Sequence, residues 1–376
     1  MKTLAAFIKV ILLLFLITPT CFAQDEEEVH KTLAIGAAGP DFNLPGIDGK
    51  KYSLKSFAGA KILAIIFTCN HCPAAQAYED RIKSLVSDYK DKGAIIIAIN
   101  PNDPQALRLD ELGYTDLNDS FEEMKIRAKD KQFNFIYLDD GSTQATAKAY
   151  GAYSTPHAFV LDKDRKLIYT GRIDGNESAG NSEDIRAAID AGLAGNLPAV
   201  TKTKTFGCTV KWASKRASAK KSLEKWAKEP VSLEEIDENG LKELIKNSTK
   251  KIRLINVWAT WCGPCMVEFP DFVTVNRMFR HRDFEFISIS ADKLNKKGKA
   301  LESLQKFEAS NKNYIFTLDD KYKLIEALDP EWQGTLPYTL IVEPGGKVVY
   351  RVQGSIDLPK LRKAIVNNEY MGRAFQ

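Results

Sequence analysis

Ile252-Arg253-Leu254-Ile255-Asn256-Val257-Trp258-Ala259-Thr260-Trp261-Cys262-Gly263-Pro264-Cys265 carries an apolar run directly into two cysteines three residues apart. Ile252–Val257 reads as a buried strand, and a helical pattern follows to about Phe279. A cysteine at such a strand-to-helix junction lies at the helix N-terminus. There the free N–H groups and the helix dipole stabilise its thiolate. Cys265, one turn in, is shielded and suited to act as the resolving thiol. The competing reading is half of a zinc site. That needs two more Cys or His ligands, and this half of the chain offers only His281.

Outward from this motif, Phe284–Ile289 and Tyr314–Leu318 read as strands. Tyr338–Val342 and Lys347–Arg351 form a hairpin about Pro344-Gly345-Gly346, and a last helix runs from about Leu358 to Tyr370. The first half repeats the order. Ile62–Phe67 is an unbroken apolar strand ending at Cys69-Asn70-His71-Cys72, followed by helical spacing at Tyr78, Ile82 and Leu85. Strands follow at Ala94–Ile99, Asn134–Leu138, His157–Leu161 and Lys166–Thr170, the last two turning at Asp162-Lys163-Asp164. A helix over about Ser182–Leu193 closes the unit. Fully apolar strands alternating with helices suit a sheet covered on both faces. The expectation is two tandem α/β domains, over 34–195 and 231–376, each a central mixed β-sheet flanked by helices. Residues 196–230 are expected to link them. Nine Lys/Arg lie between Lys202 and Lys228 against one acid, Glu224. This suits either a solvated helix with a basic face or a surface for an anionic membrane or acidic partner.

The chain has 376 residues, with 53 basic and 49 acidic side chains, a balance that argues against nucleic acid as a partner. Four histidines leave little for a His-rich metal centre, and six cysteines are too few for a disulfide-stapled scaffold. Residues 1–23 read as an export signal: Lys2 and Lys9, the apolar run Val10–Ile17, then Cys21-Phe22-Ala23 before a cut after Ala23. The apolar run is shorter than the roughly 20 residues a span needs. An uncleaved anchor and a lipid on Cys21 are the alternatives. The expected location is therefore the periplasm, where disulfides form.

Trp261-Cys262-Gly263-Pro264-Cys265 after an apolar strand resembles the thioredoxin motif. Pro270 matches the kinking proline of those proteins, and Pro337 their cis-proline, which lies against the disulfide and pairs with extended substrate. Glu268 is similar to the glutamate that handles protons in the ResA/TlpA branch. Asn256 stands where ordinary thioredoxins have a buried aspartate. The residues alone leave Glu268 open as a solvated helix carboxylate. The first half resembles the redoxin and peroxiredoxin-like (AhpC/TSA-like) branch, on Asp41-Phe42-Asn43-Leu44-Pro45, Phe67-Thr68-Cys69-Asn70-His71-Cys72-Pro73 and Ser154-Thr155-Pro156, with Pro156 as its cis-proline.

The resemblance implies a thiol–disulfide oxidoreductase without a cofactor. Cys262 attacks, Cys265 resolves, Glu268 moves a proton, and Pro337, Pro156 and Trp261 frame the docking sites. Cys69 and Cys72 would form a second pair. Its partners would be disulfide-bearing proteins and an upstream thiol donor, membrane-bound in one version. A thiol peroxidase is an alternative, although Ile66 stands where a peroxidatic site carries Thr or Ser. His71, between Cys69 and Cys72, is read as a partly exposed cation that favours the thiolate and makes that pair more oxidising. A neutral, solvent-facing imidazole is the other reading. Cys208 is expected either to resolve a mixed disulfide at Cys69 or to be a small buried apolar residue. A copper-handling module would use Cys69, Cys72 and His157.

Overall fold

A computed structural model describes residues 30–141, 143–175 and 182–372. The expected export signal, residues 1–23, lies outside them. Among the described residues no helix is long and apolar enough to cross a membrane.

The first domain opens with a short hairpin, β1 (Leu44–Pro45) and β2 (Lys51–Tyr52). Then come β3 (Ile62–Phe67), α1 (Pro73–Ala77), α2 (Glu79–Tyr89), β4 (Ala94–Asn100), α3 (Phe121–Asp130), β5 (Ile136–Asp139) and α4 (Ala145–Tyr150). β6 (Ser154–Thr155), β7 (His157–Leu161), β8 (Leu167–Gly171) and α5 (Glu183–Leu193) follow. The sheet order is β5-β4-β3-β7-β8, with β3, β4 and β5 parallel and β7 and β8 antiparallel. Central β3 is buried at every residue because its two faces enter two cores. Ile62, Ala64 and Ile66 pack under α2 and α5, while Leu63, Ile65 and Phe67 pack with Phe159 and Tyr150. This is the period-2 alternation of a strand covered on both sides.

Residues 196–230 are not a linker over their whole length. Thr170 N donates to Thr201 O at 3.0 Å and Thr203 N donates to Thr170 O at 3.1 Å, and β9 (Cys208–Thr209) pairs antiparallel with β6. Val210 and Trp212 are buried in the first domain's core. The basic residues are partly spent on it: Lys211 pairs with Glu111 at 2.7 Å and Arg216 with Asp103 at 2.5 Å. Charge composition marked this stretch as solvated, but its apolar residues decide its place. α6 (Arg216–Trp226) then leads to the second domain.

That domain contains β10 (Glu234–Ile236), α7 (Glu238–Lys246), β11 (Ile252–Trp258), α8 (Gly263–Phe279), β12 (Phe284–Ser290), α9 (Lys297–Lys306) and β13 (Lys312–Phe316). It ends with α10 (Lys321–Leu328), β14 (Tyr338–Val342), β15 (Val348–Gln353) and α11 (Leu358–Val366). Its sheet order, β10-β13-β12-β11-β14-β15, is again parallel through the centre with an antiparallel hairpin at one edge. The domains touch. Leu107 and Leu112 of the first join the second domain's core. Arg282 donates to Gly113 O at 2.8 Å, and Lys363 pairs with Asp130 at 2.7 Å.

Trp212→Ala should lower the first domain's stability by about 3 kcal/mol, the usual cost of emptying a large aromatic site. Urea unfolding of the full chain should show an earlier first-domain transition and an unmoved second-domain transition. An unmoved first transition would mean that 196–212 is a free linker after all.

Candidate active site

Two cysteine sites occupy equivalent places, each where a central strand's carboxyl end meets a helix. In the second domain Cys262 is the N-cap of α8, and its Sγ accepts from Cys265 N at 3.3 Å. Pro264 stands in the first turn, where its missing N–H costs no hydrogen bond. Cys262 and Cys265 form a disulfide with Cα atoms 5.3 Å apart. Trp261 is 68% exposed beside it, and Gly263 and Pro264 are also exposed. The Leu336–Pro337 bond is cis.

Glu268 follows Cys265 by one helical turn, so the two share a face of α8. It is buried, and its Oε2 accepts from Ile356 N at 3.0 Å. Burial pushes its carboxyl up to about 7. It is thus not the solvated carboxylate that the residues alone left open. Asn256 is buried and donates to Thr339 Oγ1 at 3.2 Å.

The first domain's site is closed over. Thr68, Asn70, His71 and both cysteines are buried, in contrast to the exposed Gly263-Pro264. Cys72 is the N-cap of α1, with Pro73 in its first turn. Thr155, joined to Pro156 by a cis bond, sits against both thiols. Its Oγ1 is 3.1 Å from Cys69 Sγ, and its carbonyl oxygen is 3.4 Å from Cys72 Sγ. Cys69, Cys72 and Cys208 are all free thiols.

His71 is not the partly exposed group expected. It is 2% exposed, and its Nδ1 lies 2.5 Å from Asp119 Oδ2. Asp119 also accepts from Asn70 N at 2.8 Å, His71 N at 3.1 Å and Asn102 Nδ2 at 2.7 Å. Burial pushes the imidazole down, but the Asp119 carboxylate outweighs it and holds His71 above its ordinary value. Burial likewise raises Asp119, and His71 with the other donors brings it below the usual carboxylate range. Burial also raises Cys72. The hydrogen bonds from Cys208 and Cys69 and the His71 cation reverse this and hold Cys72 well below an ordinary thiol. Cys69, buried beside that sulfur, is pushed well above. The pair therefore shares one favoured negative charge, centred on Cys72.

The copper set of the sequence analysis does not assemble. His157 faces the core on β7, with its Nε2 3.0 Å from Thr170 Oγ1, and burial lowers its imidazole to about 3. Among the described residues the one convergent group of potential ligands is Cys69, His71 and Asp119, whose donor atoms lie within 4.8 Å of one another. In it the Asp119 oxygens already take four N–H donors. Nothing in the sequence singled out Asp119. It lies 48 residues from His71, before the Ser120 cap of α3, where an aspartate is unremarked.

Residues 35–170 match the AhpC/TSA family and residues 230–365 the Redoxin family. The chain is a tandem protein of the thioredoxin superfamily. It is similar to the thiol–disulfide oxidoreductase ResA of Bacillus subtilis (strain 168), with 28% identity over 121 residues, 32% of this chain and 63% of that protein. It thus spans under two thirds of that relative. ResA of Bacillus thuringiensis subsp. konkukian is 28% identical over 173 residues, 45% of this chain and 88% of that protein. Among solved structures, a hypothetical protein of Sinorhizobium meliloti 1021 is 33% identical, with a TM-score of 0.44 over 49% of this chain and 97% of that one. With its Cys262–Cys265 disulfide, the second domain is an oxidoreductase domain of thioredoxin type.

Two outcomes follow from these charges. In a Cys262→Ser/Cys265→Ser background, thiolate absorbance of the reduced protein should titrate at higher pH in His71→Asn than with His71 present. An unmoved midpoint would remove His71 from the electrostatics of Cys72. Glu268 has a folded value above its unfolded one, so folding favours its protonated form. Stability should fall as pH rises from about 4.5 to about 7. In the disulfide form, Glu268→Gln should therefore be more stable than wild type at pH 8, by about 1–2 kcal/mol with solvent screening included, and not at pH 4. Equal differences at both pH values in thermal melts would contradict this.

Proposed function

We propose that the chain is an exported thiol–disulfide oxidoreductase that reduces disulfides of secreted or membrane-facing proteins at Cys262 and Cys265, with Cys69 and Cys72 as a second, more oxidising pair. The observation that carries the reading is the Cys262–Cys265 disulfide at the start of α8, with the exposed Trp261 beside it and a half-neutralised carboxyl one turn below.

In the reduced pair the helix N-terminus favours the Cys262 thiolate. It attacks one sulfur of the substrate disulfide, forming a mixed disulfide and releasing the other substrate sulfur as a thiolate, which takes a proton from water. Cys265 gives its proton to the Glu268 carboxylate and attacks Cys262 Sγ. The second substrate sulfur leaves as thiolate and is protonated in turn. Substrate gains two electrons and two protons, and Cys262–Cys265 is again a disulfide. A carboxyl titrating near 7 accepts and returns that proton at neutral pH. The upstream thiol donor that restores the pair is the remaining partner.

A thiolate held by a cation and hydrogen bonds stabilises the reduced form and raises the potential. Support for the more oxidising first pair is the low-lying Cys72 thiol beside the His71 cation, against Gly263-Pro264, which supplies no charge. Asp119 keeps His71 protonated but offsets its field, so the gap between the pairs should be modest. Ile66, fully buried before Cys69, gives a peroxidase no hydroxyl at that position.

Cys262→Ser in the full chain should reduce insulin disulfides at background rate only. Glu268→Gln should slow turnover near pH 7 about ten-fold or more and remove the step near pH 7 from the rate–pH curve. Full turnover by Cys262→Ser would sink the assignment. An unchanged curve in Glu268→Gln would leave that carboxyl without a proton-transfer role.

A further inference from the structure

An extended peptide added to a free backbone edge is a common mode of substrate recognition, because the edge supplies ready hydrogen bonds. In the second domain no strand covers that edge among the described residues: Thr335 is exposed, Leu336 is half-buried, and the Thr335 carbonyl accepts from Trp332 Nε1 at 2.8 Å. In the first domain the equivalent edge is taken by the chain itself. β9 pairs antiparallel with β6 in the register Thr155↔Cys208 and Ser154↔Thr209. Val210 N donates to Tyr153 O at 3.1 Å and extends the pairing. The approach is so close at Gly207 that a Cβ there would lie 2.0 Å from Thr155 O. A cysteine in this segment therefore stands opposite the residue before the cis-proline, where an incoming substrate would present its own.

The thiols form a row. Cys208 N donates to Cys72 Sγ at 3.3 Å, and Cys208 packs against the buried cluster of Cys69, Cys72, Ala74 and Ala75. Hydrogen bonds from Cys69 and Cys208 make Cys72 the acceptor of both. Cys69 and Cys72 are 3% and 0% exposed, whereas Cys208 is half-exposed. Cys208 is thus neither a resolver aimed at Cys69 nor a buried apolar filler. It is the thiol of this site that meets solvent, and its neighbour is Cys72.

We propose that Cys208 is the third thiol of the first domain's redox site, built in at the substrate's place, and that it closes a disulfide with Cys72 when a low-molecular-weight disulfide is the oxidant. This rests on the reading of Cys69 and Cys72 as a thiol-exchange pair. Cys208 passes its proton to the Cys72 thiolate it hydrogen-bonds, the bond that holds its thiol well above the ordinary range, and attacks one sulfur of the oxidant RSSR. A Cys208–SR mixed disulfide forms, and the leaving RS⁻ draws that proton from Cys72 and restores its thiolate. The Cys72 thiolate then attacks Cys208 Sγ and expels the second RS⁻. Cys72 and Cys208 together give up two electrons, and RSSR becomes RSH and RS⁻. Cys69 can next attack Cys72, transferring its proton to the departing Cys208 sulfur, so that the disulfide moves inward to Cys69–Cys72. The Cys72 thiolate supplies the nucleophile for the closing step, and the half-exposed Cys208 supplies the access that Cys72 lacks.

The full chain, equilibrated in glutathione buffers of stepped ratio and alkylated in acid, allows a direct test. Trypsin leaves Cys69 and Cys72 on one peptide, residues 62–81, and Cys208 on another, residues 205–211. The proposal expects these two peptides disulfide-linked in wild type, linked more abundantly in Cys69→Ser, and unlinked in Cys72→Ser. A link that survives Cys72→Ser and is lost in Cys69→Ser overturns it. So does a Cys69–Cys72 disulfide with Cys208 alkylated or merely glutathionylated at every ratio, although exchange at the pair would then stand. If neither disulfide forms at any ratio, both fall. The first domain's urea transition in the same samples reports folding of the variants and is independent of all these outcomes.

Discussion

A strand whose two faces are both buried cannot place a reactive side chain along its length, so reactivity is pushed to its end. β3 and β11 are such strands, walled by cores above and below. Each runs out into a loop that starts a helix, and the unpaired N–H groups of that helix are the electrostatic resource of the site. Cys72 and Cys262 are the N-caps at these places. Everything else about the two sites concerns what surrounds that shared geometry.

The surroundings diverge in one respect with several consequences. In the second domain the dipeptide between the cysteines is Gly-Pro, exposed and uncharged, and among the described residues no strand covers the cis-proline edge. In the first it is Asn-His, buried and bound through three hydrogen bonds to Asp119, with the chain's own β9 on the edge. A buried histidine demands a partner, and a buried carboxylate demands several donors. The Asn70 and His71 backbone, the imidazole and Asn102 supply them. Asn102 in turn accepts from Lys211 N at 2.8 Å, so the polar network that tunes Cys72 also anchors the segment carrying Cys208.

The fold was largely legible in sequence because its signals are local. Apolar runs of six or seven residues, the two CxxC junctions and the hairpin turns place most strands to within two residues. His157–Leu161 and Tyr338–Val342 fall where the alternation put them. Glu268 and both cis-prolines were visible from their spacing to the cysteines in a resembling family. What stayed hidden depends on contacts distant in sequence. Asp119 reaches His71 across 48 residues and Cys208 reaches Cys72 across 136, and no local pattern marks either. The stretch after Leu193 was misread because a charge run says where side chains end, not where the apolar residues between them go. Val210 and Trp212 outvote nine cations whose long stems can reach solvent from a docked backbone.

The same arrangement bears on how electrons pass through the chain. Thiol exchange requires sulfur to touch sulfur. The first domain leans on the second through Gly113 against Met278 and Arg282, at the C-terminal end of α8. Cys262 begins that helix, and at 1.5 Å per residue some 16 residues separate the two ends by roughly 24 Å. Buried Leu107 and Leu112 hold the contact with apolar area rather than with charge alone, so it does not loosen simply with salt. On the proposed reading this arrangement would give the two pairs separate clients: large extended disulfides at the edge beside Pro337, small ones at the covered edge beside Pro156. A difference in potential between the pairs then sets which client each can oxidise or reduce. It drives current between them only through a diffusing thiol carrier or a rearrangement that separates Leu107 and Leu112 from the second core.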